Sequence, residues 1–191
     1  ALIHQAALLD KAVPRPNRRD ACGAFILKNY APSVMKMGFH FQAYAPHIYT
    51  PVIRKQVREL HVEEREHYTV YLPSYDHVKL VKRLNRLNAT WHVFSKHTKS
   101  VETVGTVSVL PIENGNFLQS MASSRGVLCG AGFETPAEAL FLGKKMLVVP
   151  MKNQHEQHFN AAALQEMGVS ILKNLKKKLM VDVLRGFSSH T

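Results

Sequence analysis

The sequence predicts an α/β fold, with a mostly parallel sheet carrying helices on both faces. Three observations lead there. Short β-branched and apolar runs recur from about residue 68 onward, each closed by Pro, Gly or a polar turn, and segments with helical spacing lie between them. Several runs are apolar without interruption, as strands buried on both faces are. At 191 residues, 46% apolar and 20% charged, the chain can bury a core around such a sheet without help from disulfides or metal.

The elements follow in order. Leu2, Ile3, Ala6, Leu8 and Leu9 form a short apolar segment, helical or extended, before a polar, turn-rich loop over Val13 to Asp20. Phe25 to Leu27 and Gly38 to Phe41 are strand-like pieces without an evident partner, so residues 1–47 read as the tail and linker of an otherwise missing N-terminal domain. A second domain is expected over 48–191. Tyr68 to Leu72 is a buried strand ended by Pro73. Asp76 then caps a helix whose Val78, Leu80, Val81, Leu84 and Leu87 lie opposite its Lys and Arg residues. Thr90 to Phe94 and Val107 to Leu110 are strands, and Phe117, Leu118 and Met121 mark a short helix. Gly126 to Cys129 is a strand, Pro136 to Leu142 a helix and Met146 to Val149 a strand. A longer helix runs from about Gln154 to Met167 and is stopped by Gly168, with a last strand over Val169 to Leu172 and a last helix over Leu175 to Leu184.

Charge is the unusual number. Lys and Arg total 25 against 14 Asp and Glu, a net +11 with His neutral. The excess is spread out: residues 1–47 carry 6 basic and 2 acidic residues, and 48–191 carry 19 and 12. Such a balance suits an anionic partner, whether nucleic acid, acidic lipid or a phosphorylated small molecule. Lys173 and Lys176 to Lys178 form the one dense spot, but aromatics do not interleave with the basic residues, so the stacking platform of a single-strand binder is lacking. Two distant cysteines, Cys22 and Cys129, read as reduced thiols of a cytosolic compartment. No apolar stretch nears the ~20 residues of a membrane span.

Two loops carry chemistry. Gly130-Ala131-Gly132-Phe133-Glu134-Thr135-Pro136-Ala137-Glu138 leaves a strand and opens a helix. The glycines admit close backbone approach, and a helix start offers free N–H groups and the positive dipole end, which suit a phosphate or diphosphate. Thr135 and Glu138 equally fit a capping box with Pro136 in the first turn. The second loop, Pro150 to Asn160, presents Gln154, Gln157 and Asn160 at turn spacing, uncharged amides suited to hydroxyl-rich molecules; Asn153 and Glu156 also fit a cap. His155-Glu156-Gln157-His158 lacks the spacing of a zinc-binding helix, and no metal site is expected.

These two loops in this order, with Leu140 to Lys145, Val148-Val149-Pro150 and Asn160-Ala161, resemble the donor-binding signature of GT-B glycosyltransferases. The resemblance covers about Thr50 to Gly168. It is nearest the UDP-sugar enzymes of the bacterial lipid-linked muramyl N-acetylglucosaminyltransferase and plant UDP-glycosyltransferase type. It implies a Rossmann-like domain, the C-terminal half of a GT-B fold, that binds a nucleotide sugar as donor substrate and uses no cofactor. By resemblance, Gly132, Glu134 and Thr135 contact the diphosphate, Gly130 and Phe133 belong to the same nucleotide-sugar-binding loop, and Glu138 accepts hydrogen bonds from ribose hydroxyls. Leu110 to Ile112 hold the base, with Ile112 reading the uracil edge. Gln157, with Asn153, Gln154 and Asn160, binds sugar hydroxyls, and Ser74 and Tyr75 face the same cleft. Thr50-Pro51-Val52-Ile53-Arg54 is similar to the family's entry into this domain.

The sequence also departs from the pattern. Plant-type enzymes carry a phosphate-binding His where Gly130 stands, and their Asp-Gln sugar pair is Asn153-Gln154 here. No residue of the chain is assigned as catalytic, because the family's acceptor site and base belong to the first domain. The expectation is therefore a donor-binding domain of a UDP-sugar-dependent hexosyltransferase, inactive alone. It is placed in the cytoplasm, with peripheral contact at the inner membrane face through its basic surface. The competing reading is a basic module for nucleic acid or anionic membrane on an α/β scaffold.

Overall fold

The structure, a computed structural model, describes residues 4–16, 25, 29, 37–175, 181 and 184. Its elements are α1 (His4–Ala7), β1 (Gly38–Phe39), β2 (Ile48–Tyr49), α2 (Lys55–Arg58), β3 (His67–Tyr71), α3 (His77–Leu84), β4 (Thr90–Ser95), β5 (Glu102–Val104), β6 (Val107–Pro111), α4 (Asn114–Ser123), β7 (Gly126–Gly130), α5 (Glu134–Phe141), β8 (Met146–Val149), α6 (His155–Glu166) and β9 (Ser170–Ile171). Seven strands form one sheet in the order β5-β6-β4-β3-β7-β8-β9, parallel throughout except for the antiparallel β5–β6 pair. This is the expected mostly parallel α/β sheet with helices on both faces.

Alternation along the strands divides the core in two. Val127, Cys129 and Val148 join Met121 of α4, Ala139 of α5 and Leu164 of α6 on one face. On the other, Leu128, Leu147, Val70 and Val93 meet Leu80 and Leu84 of α3. Leu175, Val181 and Leu184 also pack there, although most of the helix expected over 175–184, with the Lys176 to Lys178 run, lies outside the described residues. Burial pushes the Cys129 thiol up to about 12, so it stays protonated. Cys22 lies outside the described residues.

Helix α3 shows how local signals become packing. Asp76 Oδ1 accepts from Val78 N at 3.0 Å and Lys79 N at 3.3 Å, the expected cap. Leu80, Val81 and Leu84 are buried, each contributing on the order of 1.5–3 kcal/mol. Val78 departs from the expectation, being half exposed in the first turn. Gly168, in the left-handed region at φ 84°, ends α6 as expected. Its N–H reaches Gln165 O, and Val169 N–H reaches Leu164 O, a Schellman closure.

Three elements differ from the sequence expectation. α4 begins at Asn114, earlier than its apolar residues suggest, because its polar first turn lies at the surface. Strand β5 was not expected: all three residues are exposed on the sheet edge, so no burial pattern marks them. Gly38 to Phe41 does find a partner, with β1 running parallel to β2. Ala7, Leu8, Val13 and Ile48 cluster with Phe159 of α6, and the Arg15 guanidinium sits 5.9 Å above the Phe159 ring. Among the described residues no helix is long and apolar enough to cross a membrane.

One polar cluster interrupts the α4-side core. His67 and His92 stack with ring centroids 4.0 Å apart. Ser120 joins them: its Oγ is 2.7 Å from Thr69 Oγ1 and 3.2 Å from His92 Nδ1, and its carbonyl accepts from His67 Nε2 at 3.1 Å. Burial lowers both imidazoles, His92 to about 4, with His67 adding to the effect on His92.

In the unfolded chain both histidines protonate near 6.5, so the stability from keeping His92 neutral is full above that pH and is lost as pH falls toward 4. The melting temperature should drop over this window, by the equivalent of ~2 kcal/mol, and His92→Gln should flatten part of the slope. A wild-type melting temperature constant from pH 7 to 4.5 would refute this. Gly105 turns the β5–β6 hairpin at φ 60°, and a Cβ there would lie 2.5 Å from Asn85 Oδ1. Asn85 holds the hairpin through Val104 O at 2.8 Å and Thr106 N at 2.9 Å. Gly105→Ala should therefore cost ~1–2 kcal/mol in urea unfolding; an unchanged midpoint would contradict the strain.

Candidate functional site

Strand β3 lies between β4 and β7, and the chain leaves it toward β4 before returning on the other side to β7. Loops at the carboxyl ends of β3 and β7 therefore run in opposite directions and leave a crevice, the usual ligand position in an open α/β sheet. A cavity of about 120 Å³ opens there. Ser74 and Tyr75 reach it from the β3 loop, Gly130, Gly132 and Thr135 from the β7 side, and Gln157 from α6. Its volume is below the ~300–1,000 Å³ of typical small-molecule pockets.

The glycines face space. Gly132 is not in the left-handed region, and a Cβ added to it meets nothing within 4 Å. Neither backbone strain nor internal packing requires glycine there, and the backbone is left open to close approach from the crevice. At Gly130 a Cβ would make only ordinary contacts, with Gln157 Oε1 at 3.8 Å and Val149 O at 4.0 Å. The capping-box reading fails: α5 starts at Glu134, its N-cap is Phe133, and no side chain caps it. The helix begins earlier than Pro136 suggested, which puts Thr135 inside the first turn, beside the cavity. The first intrahelical bond is Ala137 N to Phe133 O at 3.1 Å. The N–H groups of Glu134 and Thr135 thus have no intrahelical acceptor and stand at the positive end of the helix.

Two contacts hold this loop from behind. Asn160, fully buried, donates from Nδ2 to Ala131 O at 3.0 Å. Its amide lies under the loop. The Phe133 ring packs 5.2 Å from Phe41 and 6.4 Å from His40, toward the N-terminal segment, and Glu134 is exposed at the helix start.

Glu138, one turn along α5, is 5% exposed. Arg54 Nε donates to its Oε1 at 2.7 Å, and this bond raises the guanidinium above its ordinary value. Arg54 Nη1 also reaches Asn114 Oδ1 at 3.3 Å, and Asn114 Nδ2 donates to Gln56 Oε1 at 3.0 Å. One arginine therefore ties the buried carboxylate to the start of α4, beside Ile112 at the end of β6. Sequence reasoning placed Arg54 in the entry segment but gave it no site role; its partner is distant in the chain and no local spacing reveals it.

The α6 loop is ordered by amides. Gln157 Oε1 accepts from Met151 N at 3.0 Å, and its Nε2 donates to Gln154 Oε1 at 2.7 Å. Asn153 and Gln154 are exposed, and the N-cap Gln154 makes no side-chain cap bond. Ser74 Oγ donates to Met151 Sδ at 3.2 Å, joining the β3 and β8 loops. His158 Nε2 donates to Lys152 O at 3.0 Å, so its ring braces the loop.

The family model described as glycosyl transferase family 1 matches residues 25–189. Acinetobacter baumannii MurG is similar in structure, with TM-score 0.55 and 18% identity, over 81% of this chain and 53% of that one. Glycosyltransferase VinC, solved in complex with dTDP, gives TM-score 0.51 and 13% identity, over 84% of this chain and 41% of that one. The chain thus spans about half the length of these structures or less, and at such identities the likeness is one of fold. No curated protein sequence matches. With a family match over most of its length, the chain belongs to glycosyl transferase family 1, as a glycosyltransferase domain of the GT-B fold.

Proposed function

We propose that the chain is the donor-binding part of a UDP-sugar-dependent glycosyltransferase that passes a hexose to an acceptor hydroxyl. The observation that carries this is the uncapped start of α5 opening past Gly132 into the crevice, with Glu138 one turn further along the same helix. A diphosphate at the helix start accepts from the Glu134 and Thr135 N–H groups. The ribose then lies over Glu138, whose second oxygen accepts from its hydroxyls while Arg54 holds the first. The base extends toward Ile112. Gly130, Ser74 and Gln157 face the sugar side, with Asn153 and Gln154 at its rim, and Asn160 and Phe133 set the loop.

In the reaction the acceptor oxygen forms a bond to the anomeric carbon as the bond to the diphosphate breaks. The departing diphosphate gains negative charge, and preorganised N–H groups at a helix start stabilise charge developing at that place. Acceptor site and general base are supplied by protein outside residues 48–191, and the chain alone should turn over little or nothing.

Titration calorimetry with UDP tests the reading. Gly132→Val keeps an allowed backbone and open space for its side chain, so the variant should fold and lose binding. Glu138→Gln should weaken UDP about tenfold, or 1.4 kcal/mol, from the lost charged hydrogen bonds to ribose. Absent UDP binding to the wild type, or equal binding to Gly132→Val, would count decisively against the assignment.

A further inference from the structure

We propose that the cavity between Ser74, Thr135 and Gln157 is the donor-sugar subsite and that it accepts an uncharged sugar while rejecting one bearing a carboxylate or ammonium group. This rests on the donor-binding reading above. The cavity adjoins the helix start where the diphosphate would sit, so the group attached to that diphosphate is what enters it. Its wall is formed by Tyr71, Leu72, Val149 and Met151, and its polar groups are hydroxyls and one amide. No Asp, Glu, Lys, Arg or His is among the described lining residues.

Two charged side chains nearby are already paired. Asp76 caps α3 and lies 3.6 Å from Lys79 Nζ. Glu138 is paired with Arg54. Lys152 is exposed and does not line the cavity, although its neighbour Met151 does. A uronate or a free amino sugar entering this wall would leave water and find no counter-charge, which is costly for an ion and cheap for a hydroxyl. A neutral hexose fits both halves of the surface. Its C–H face lies on the apolar side chains, and its hydroxyls meet Ser74, Thr135 and Gln157. The Gln157 amide is already oriented by Met151 N and Gln154 Oε1, which leaves one N–H and one lone pair for the sugar. Met151 is the specificity-determining position. Its side chain accepts from Ser74 Oγ and its backbone N–H donates to Gln157, and it lines the cavity beside the apolar residues.

The experiment is calorimetry on the 191-residue chain with UDP, UDP-glucose, UDP-glucuronate and UDP-glucosamine, for the wild type and Met151→Arg. The wild type should bind UDP-glucose at least as tightly as UDP, and both charged sugars at least tenfold more weakly than UDP-glucose. Met151→Arg, which brings a cation into the wall, should improve UDP-glucuronate relative to UDP-glucose at least fivefold. Wild-type affinities for UDP-glucuronate and UDP-glucose within threefold of each other overturn the neutral subsite while leaving nucleotide binding intact. An unchanged ratio in folded Met151→Arg overturns the assignment of this wall to the sugar. Failure of UDP and of all three sugars to bind overturns both this proposal and the donor reading. The wild-type comparison stands by itself if the variant does not fold.

Discussion

A sheet covered on both faces can meet a ligand only where its strands end. The central strands β3, β7 and β8 lie between two apolar cores, so their backbone groups are committed to ladder hydrogen bonds and their side chains to packing. The loops at the carboxyl ends escape this constraint. At one place, between β3 and β7, they also diverge, because the chain departs from β3 in one direction and returns to β7 from the other. The crevice is thus a consequence of strand order. Its residues come from stretches as far apart as Ser74 and Gln157, and the sheet is what brings them together.

Behind the start of α5 the group most costly to bury is Glu138, 5% exposed. A carboxylate this deeply buried needs a partner, since an uncompensated buried charge costs several kcal/mol. Arg54 supplies it from the segment that leads out of β2, and the same guanidinium reaches the start of α4. The electrostatic requirement of one side chain therefore fixes the entry segment against two helices. The same bond fixes the orientation of the carboxylate.

What could be read in the sequence tracks how far each signal is local. β7 and β8 were legible because burial on both faces leaves an unbroken apolar run, and α3 because Asp76 and its apolar spacing agree. β5 was not, since an exposed edge strand carries no burial pattern. The start of α5 was misread for a related reason. Thr135, Pro136 and Glu138 satisfy the local rules of a capping box, but the chain arriving from β7 begins the helix earlier, and Thr135 is released toward the cavity. For the site, residue types at turn spacing located both loops. They did not separate Gln157, which faces the cavity, from Asn160, which is buried beneath the glycine loop. That distinction depends on which way α6 is rotated, and Phe159 decides it by packing against Ala7, Leu8, Val13 and Ile48 from the other end of the chain.

The net charge of +11 first suggested that lysines and arginines would meet an anionic partner. The crevice argues for a different arrangement. Its described lining contains no basic side chain, and the positive potential at the start of α5 comes from backbone N–H groups. Several basic groups serve the fold instead: Lys144 donates to Glu63 O and Ser124 O, Arg125 pairs with Glu64 and Glu66, and Arg54 holds Glu138. For the proposed transfer this separation has a physical advantage. Backbone donors are fixed in place by the helix and the Asn160 bond, so they need no reorganisation as charge develops, whereas a flexible lysine would have to be ordered each time.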